Sequence, residues 1–329
     1  MVESVDDLLA QFAAGSKRAA ARLISIVEDH RPEADTILDR LFTRMGRASR
    51  IGITGPPGAG KSTLVDQLAQ LWVAQGARLG IVAVDPTSPF TGGALLGDRI
   101  RMGNVAQEAR LFFRSLATRG SLGGLSLHTA EVADVLDAFG CDRLLIETVG
   151  VGQSELDVAS KAHTTVVVLV PESGDGIQAM KAGLMEIADL FVINKADRPG
   201  AEQLVAEIQT TLEMRGEQAW TPPVLMARAR EGVGIPELAA ALETHRDWLV
   251  ASGTLLRRQR TVLESRVRDL VQDRLQRLAF ESETARRRLD AGLDAILAGA
   301  STPYRLAEEI AAGLAGAAVA VSSTSPAKG

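Results

Sequence analysis

The 329-residue chain has a single cysteine, Cys141, which excludes an intrachain disulfide and a cysteine metal cluster and fits a reducing cytoplasm. Its four histidines (His30, His128, His163, His245) are scattered, and no CxC, CxxC or His tract occurs. A chain that hands nickel or zinc to another enzyme needs soft or imidazole ligands presented together, and this one has no such group. His128 and His163 sit among apolar residues and read as packed side chains. No apolar run approaches the roughly 20 residues that span a bilayer, and the first residues are acidic without a signal-peptide pattern, so no membrane association is expected. The formal charge of −5 argues against general affinity for nucleic acid. Hydrophobic residues at 46% and charged residues at 23% are those of an ordinary globular protein, long enough for a core domain with helical additions.

What the chain does have is glycine placed for phosphate. Gly55-Pro56-Pro57-Gly58-Ala59-Gly60-Lys61-Ser62 follows the apolar run Arg50-Ile51-Gly52-Ile53-Thr54 and opens an amphipathic helix. This is GxxxxGKS in the strand–loop–helix setting a phosphate-binding loop requires. Backbone N–H groups from Gly58 to Thr63 can point into one concavity, and the helix beginning near Lys61 adds the positive end of its dipole. Lys61 can then reach the β- and γ-phosphates, and the Ser62 hydroxyl can ligate Mg²⁺. The ligand implied for Gly55, Gly58, Ala59, Gly60, Lys61, Ser62 and Thr63 is a nucleoside triphosphate.

Residues 1–48 read as short helices forming an N-terminal extension. Val5, Leu8, Leu9 and Phe12 recur at i, i+3, i+4, i+7, and Leu23, Ile24 and Val27 repeat the idea before Arg31-Pro32 interrupts. From 49 to 250 apolar runs alternate with helical patterns, with strands predicted at 50–54, 79–84, 111–114, 142–147, 164–170, 190–194 and 223–226. The run from Thr164 to Val170 is apolar on both faces, as a buried central parallel strand is. The fold class is therefore α/β, a doubly wound, mostly parallel sheet. After Ser252-Gly253 the composition changes, and 251–312 read as a helical arm. Leu256, Leu263 and Leu270 recur every seven residues with Val267, Val271 and Leu278 beside them, interleaved with Arg257, Arg258, Arg260, Arg266, Arg268, Arg274 and Arg277. Such a helix either packs on its own domain or self-associates. Residues 313–329, small and Ala/Ser-rich, are expected to be disordered.

A second motif, Asn194-Lys195-Ala196-Asp197, ends the strand Leu190-Phe191-Val192-Ile193. An ionised carboxylate only accepts hydrogen bonds, so Asp197 can take both N1–H and the N2 amine of guanine. Adenine offers no such donor pair, and an unpaired carboxylate is costly. Asn194 and Lys195 would brace the loop and cover the base. Between the two motifs, Asp85, Asp98 and Glu147 sit at strand ends or in a Gly/Thr/Pro-rich loop, where carboxylates converging with Ser62 suit Mg²⁺, a hard cation that takes oxygen ligands. Glu147-x-x-Gly150 has the form of a switch that senses the γ-phosphate through the Gly150 N–H. The following position, which in Ras-like GTPases carries a water-orienting glutamine, is Val151, and Gln153 lies two residues on. Slow intrinsic hydrolysis, accelerated by a partner, is the expectation.

These segments together resemble the MeaB-type GTPases, whose human counterpart is the methylmalonic aciduria type A protein. The resemblance rests on Gly55–Ser62, Val84-Asp85-Pro86-Thr87-Ser88, Thr91–Arg99, Ser121-Leu122-Gly123-Gly124, Asn194–Asp197 and above all Glu147-Thr148-Val149-Gly150-Val151-Gly152-Gln153-Ser154-Glu155, and it covers roughly residues 5 to 300. It implies a P-loop GTPase core and a G-protein chaperone that couples GTP hydrolysis to adenosylcobalamin loading and protection of an acyl-CoA mutase, with the cobalamin held only by that partner. It also implies a homodimer formed through the C-terminal arm, Asp85, Asp98 and Glu147 as Mg²⁺ carboxylates, and Gly174–Lys181 as a third switch working through Asp175 and Lys181. On this reading Lys61, Asp98, Glu147, Gly150 and Lys181 serve hydrolysis. One departure stands out: the loop after the last strand reads Ala227-Arg228-Ala229 where such GTPases often carry Thr-Ser-Ala, leaving the Ala229 N–H for guanine O6. The alternatives are a nickel- or zinc-inserting GTPase and a transport-associated ATPase or kinase. Asp197 speaks against the latter, because an ATPase has no need of a guanine reader.

Overall fold

The computed structural model describes residues 4–85, 110–117, 124–148, 161–171, 183–216 and 218–322. All seven predicted strands are present: β1 Ser49–Thr54, β2 Leu79–Asp85, β3 Leu111–Ala117, β4 Arg143–Thr148, β5 Thr164–Leu169, β6 Leu190–Ile193 and β7 Val224–Met226. They form one sheet in the order β3-β2-β4-β1-β5-β6-β7, and every pairing is parallel. The helices are α1 Val5–Ala13, α2 Lys17–Glu28, α3 Ala34–Leu41, α4 Lys61–Ala74, α5 Gly124–Ala138, α6 Ala201–Glu213, α7 Ile235–Ala251, α8 Thr254–Phe280, α9 Glu283–Leu297 and α10 Pro303–Ser322. None of them, among the described residues, is long and apolar enough to cross a membrane.

Both faces of the sheet are covered, which is why the central strands carry apolar residues on both sides, as in Ile51-Gly52-Ile53, Leu144-Leu145-Ile146 and Val166-Val167-Val168-Leu169. Ile51, Ile53, Ile81, Leu145, Val166, Val168, Leu190 and Val192 pack against α4 and α7 through Leu64, Leu68, Trp72, Leu238 and Leu242. The alternate residues face the other way. There Val82, Leu116, Leu144 and Ile146 meet α5, and the same core takes in Leu8, Phe12, Leu23, Ile24, Val27 and Ile37 of α1–α3. The N-terminal helices are thus part of the sheet's second covering layer. Along β5 and β6, Val167, Leu169, Phe191 and Ile193 meet Leu204, Ile208 and Leu212 of α6.

The segment joining α3 to β1 is fixed by Asp137 of α5. Its buried carboxylate accepts from the backbone N–H groups of Gly46 (2.8 Å), Arg47 (3.1 Å) and Ala48 (3.0 Å), and from the Arg50 guanidinium (3.1 Å). Asp134, one turn earlier, takes the same guanidinium at 2.6 Å. Four donors for one carboxylate satisfy groups that burial would otherwise leave orphaned.

The chain forms two compact units, Met1–Val262 and Leu263–Gly329. In the second, Leu306 of α10 is buried against Gly292 of α9, where an added Cβ would stand 2.3 Å from a Leu306 methyl. Arg288 also donates to the Glu309 carbonyl at 2.6 Å. α10 runs on to Ser322, through the position where a disordered tail is expected to begin. The physical reason is alanine, the residue with the highest helix propensity. Leu256, Leu263, Val267, Leu270, Val271, Leu275 and Leu278 of α8 are all exposed, Leu256 at 72% and Leu278 at 64%.

Candidate nucleotide site

β1 lies between β4 and β5; from β1 the chain runs to β2 on one side and from β4 it crosses to β5 on the other, and this reversal opens a crevice beyond the strand C-termini. Gly55 to Gly60 fill the turn from β1 into α4. Two of its glycines are required by close approach as well as by dihedral. Gly55 has φ 137°, and a Cβ there would lie 2.0 Å from the Val168 carbonyl oxygen of β5. Gly60, at φ 85°, is the N-cap of α4, and a Cβ there would lie 2.4 Å from the Asn194 amide nitrogen. Gly58 also has positive φ, at 76°. Lys61, Ser62 and Thr63 form the first turn of α4, whose N–H groups have no partner inside the helix and so face an incoming anion.

The Lys61 ammonium is buried and folded over the loop, donating to the carbonyls of Gly55 (2.7 Å) and Pro56 (3.0 Å). Ser62 Oγ donates to Glu147 Oε1 at 2.6 Å, joining the first turn of α4 to the C-terminal end of β4. Glu147 is 7% exposed. These are hard oxygen donors, and two cis ligands of Mg²⁺ at its usual bond length stand about 2.9 Å apart, so the pair fits that ion after opening by a few tenths of an ångström. The fit concerns Ser62 and Glu147 alone. β2 ends at Asp85, but its side chain lies outside the described residues, as do Asp98, Gly150 and Lys181, and with them Val151, Gln153 and Asp175.

The second motif meets the first. Asn194 is buried, and its amide nitrogen donates to the Ala59 carbonyl at 2.8 Å while its carbonyl oxygen accepts the Ala229 N–H at 3.1 Å. One side chain thus ties the phosphate loop to the loop after β7. Both of its polar atoms are used inside the protein, and the Ala229 N–H expected to meet guanine O6 is held by Asn194. Lys195 sits in left-handed backbone (φ 55°), an uncommon conformation for a residue with a side chain, of the kind that gathers at binding sites. Asp197, two residues on, is exposed. The loop carrying Ala227-Arg228-Ala229 is closed by a bridge in which the Arg228 N–H donates to the Val233 carbonyl at 3.0 Å, and Arg228 pairs with Glu231 at 2.8 Å.

At the opposite, N-terminal ends of β5 and β6 lies a charged cluster with no motif to announce it. Asp189, just before β6, is buried and receives the Thr165 N–H at 2.8 Å and both terminal nitrogens of Arg258 at 2.8 and 2.7 Å. Burial pushes its carboxyl up, but His245 and Arg258 outweigh that and hold it below the usual range. His245 is buried with Nδ1 2.9 Å from Thr164 Oγ1 and Nε2 3.4 Å from Asp189 Oδ1, the latter an electrostatic contact without hydrogen-bond geometry. A charged residue directly before an apolar strand was the one available sign, and it resembles an ordinary strand boundary. His163 is packed, as expected: Nδ1 accepts the Arg50 N–H at 3.3 Å, and burial together with Arg50 pushes its pKa down to about 4.

The family described as methylmalonyl Co-A mutase-associated GTPase MeaB matches residues 20–284. A Pyrococcus horikoshii protein named among the GTPases is 46% identical over 82% of this chain and 86% of its own length. The GTPase ArgK of Escherichia coli is 36% identical over 75% of this chain and 78% of its own, and the mouse mitochondrial methylmalonic aciduria type A homolog is 33% identical over 92% and 78%. Among solved structures, a LAO/AO transport system kinase superposes with a TM-score of 0.71 at 26% identity, over 95% of this chain and 99% of that one. With the seven-stranded parallel sheet and the loop at its switch point, these matches place the chain in the MeaB family of P-loop GTPases, enzymes that hydrolyse GTP.

Proposed function

We propose that this GTPase gates adenosylcobalamin loading of an acyl-CoA mutase, methylmalonyl-CoA mutase or a relative, and protects or reactivates that enzyme. The observation that carries the nucleotide part of this reading is the Asn194 bridge. It makes the phosphate loop and the guanine loop one preformed cradle, so the nucleotide is read at both ends by a single rigid frame. The family description and the mouse relative supply the partner class.

In this reading Lys61 leaves its two carbonyl partners for the β- and γ-phosphates, and the N–H groups from Gly58 to Thr63 line the phosphates. Asp197 accepts N1–H and the N2 amine, with Asn194 and Lys195 bracing the loop and the Ala229 segment flanking O6. Ser62 and Glu147, joined by Asp85 and Asp98, would hold Mg²⁺, which when bound neutralises phosphate charge. Val151 has no hydrogen-bonding side chain with which to orient water, so turnover without a partner is slow. A mutase that prefers the GTP or the GDP state must reciprocally change nucleotide affinity, and the residues assigned to that response are Asp98, Gly150 and Lys181. The domain plan is a helical layer at 1–48, a GTPase domain at 49–250 and a dimerising arm at 251–312, acting in the cytoplasm.

The test is displacement of a fluorescent GTP analogue by GTP and by ATP, with Lys61→Ala and Asp197→Asn beside the parent chain. GTP is expected to compete far better than ATP. Lys61→Ala should lose triphosphate binding, and Asp197→Asn should lose about tenfold or more in guanine affinity. Equal displacement by ATP, or unchanged GTP hydrolysis in both variants, would overturn the site assignment. Hydrolysis that does not change when an acyl-CoA mutase is added would overturn the partner.

A further inference from the structure

The two loops that read the base hang from two elements, and the far ends of those elements meet in one place. β6 delivers Asn194-Lys195-Ala196-Asp197 at its C-terminal end, and Asp189 stands at its other end. The strand is four residues long, fully buried, and paired on both sides by β5 and β7, so it has no slack along its axis. α7 begins just after the Ala229–Glu231 turn and carries His245 and Trp248 in its last two turns. Those rings lie in the Asp189 cluster: Trp220 is 4.6 Å from His245 and 5.2 Å from Trp248 between ring centres, and the Trp220 indole N–H donates to the Asp189 carbonyl at 2.8 Å.

Into this cluster α8 sends one side chain. Arg258 forks onto both oxygens of Asp189 and also donates to the His163 carbonyl at 2.7 Å, on the segment entering β5. A bidentate guanidinium fixes direction as well as distance. We infer that Arg258 is a positioning residue for the guanine-reading loops, acting through Asp189 on β6 and through the His245–Trp220–Trp248 packing on α7. The first turns of α8 thereby set how well Asp197 meets the base, at the other end of β6. Whatever engages α8 has a route to nucleotide affinity that does not pass through the phosphate loop. This inference rests on the guanine assignment of Asp197.

The test compares GDP with IDP, which lacks the exocyclic amine that one Asp197 oxygen accepts, on the full-length chain with Mg²⁺. Arg258→Met keeps the aliphatic stem and removes the fork, and Arg258→Lys keeps the charge with a single point of contact. Circular dichroism at the working temperature checks that each variant is folded. The preference for GDP over IDP should fall by about tenfold in Arg258→Met and by less in Arg258→Lys. Asp197→Asn, the direct control, should abolish it. A general loss of stability lowers both affinities together, so an unchanged GDP:IDP ratio overturns the inference whether or not the separate affinities fall. Should Arg258→Met fail to fold, Arg258→Lys alone decides by the same ratio. If the parent chain does not prefer GDP to ADP, it is the guanine assignment itself that has failed.

Discussion

At the scale of single residues, charge and burial decide most of what the site can do. Lys61 and Ser62 were legible because their chemistry is tied to fixed spacing from glycines, and their neighbours in the fold are carbonyls and the Glu147 carboxylate. Asn194 was legible as part of a motif, yet its double bond to Ala59 and Ala229 was not, since it joins residues 135 and 35 positions apart. His163 makes a pH-dependent contribution with a definite sign. Below its ordinary 6.5 the unfolded chain binds a proton that the folded chain refuses until about pH 4, so stability declines as pH falls across that interval. Between pH 7 and pH 5 the loss is about 2 kcal/mol. His163→Asn, which keeps an acceptor for the Arg50 N–H, should flatten that limb in urea melts at the two pH values. An equal slope in the variant would assign the acid loss elsewhere. Asp189, held low by its partners, retains its contribution until pH falls below the ordinary carboxylate range, under about 4.

At the scale of elements, periodicity carried the reading a long way. Alternating and continuous apolar runs located all seven strands, because a strand covered on both faces keeps a run of apolar residues even where Arg114, Glu147 or Thr164 adjoins it. The same patterns could not say what the N-terminal helices cover. An amphipathic helix records that it has a partner and leaves that partner's identity open; Leu23, Ile24 and Val27 look the same against any apolar surface. Their junction with β1 depends on Asp137, a residue 90 positions away that reads in sequence as a solvated helix charge. Asp137→Ala leaves three backbone N–H groups and the Arg50 guanidinium short of an acceptor, with an expected cost of about 3–5 kcal/mol. A lowered thermal midpoint by calorimetry checks this, and a midpoint within about 2 °C of the parent would show that water replaces the carboxylate.

At the scale of the whole molecule, α8 carries the open question of assembly. Its apolar residues recur at heptad spacing, yet Leu256, Val267 and Leu278 remain more than half exposed, and over its whole length only Ala279 is buried. A helix of 27 residues is about 40 Å long, enough for nearly four heptads against a second copy. Substituting Leu263→Glu and Leu270→Glu together should convert a dimer to a monomer in light-scattering chromatography while nucleotide binding persists. A monomeric parent chain, or a dimer indifferent to both changes, would remove the arm from assembly. The heptad was plain in the sequence. The arginine at 258 was not separable from the other six arginines of its helix, since only tertiary structure distinguishes the one that meets Asp189 from those that pair along their own helix.

The aromatic rings beside Asp189 decide what intrinsic fluorescence can detect. The chain has three tryptophans, and two of them, Trp220 and Trp248, flank His245 beside Asp189, while Trp72 is shut in the core under the Arg143 guanidinium. None belongs to the phosphate or guanine loops, so intrinsic emission is blind to direct contact with the base. A change in emission on adding nucleotide would therefore be a report sent through the protein, from the C-terminal ends of the strands, where the phosphate loop lies, to their N-terminal ends, where Arg258 meets Asp189.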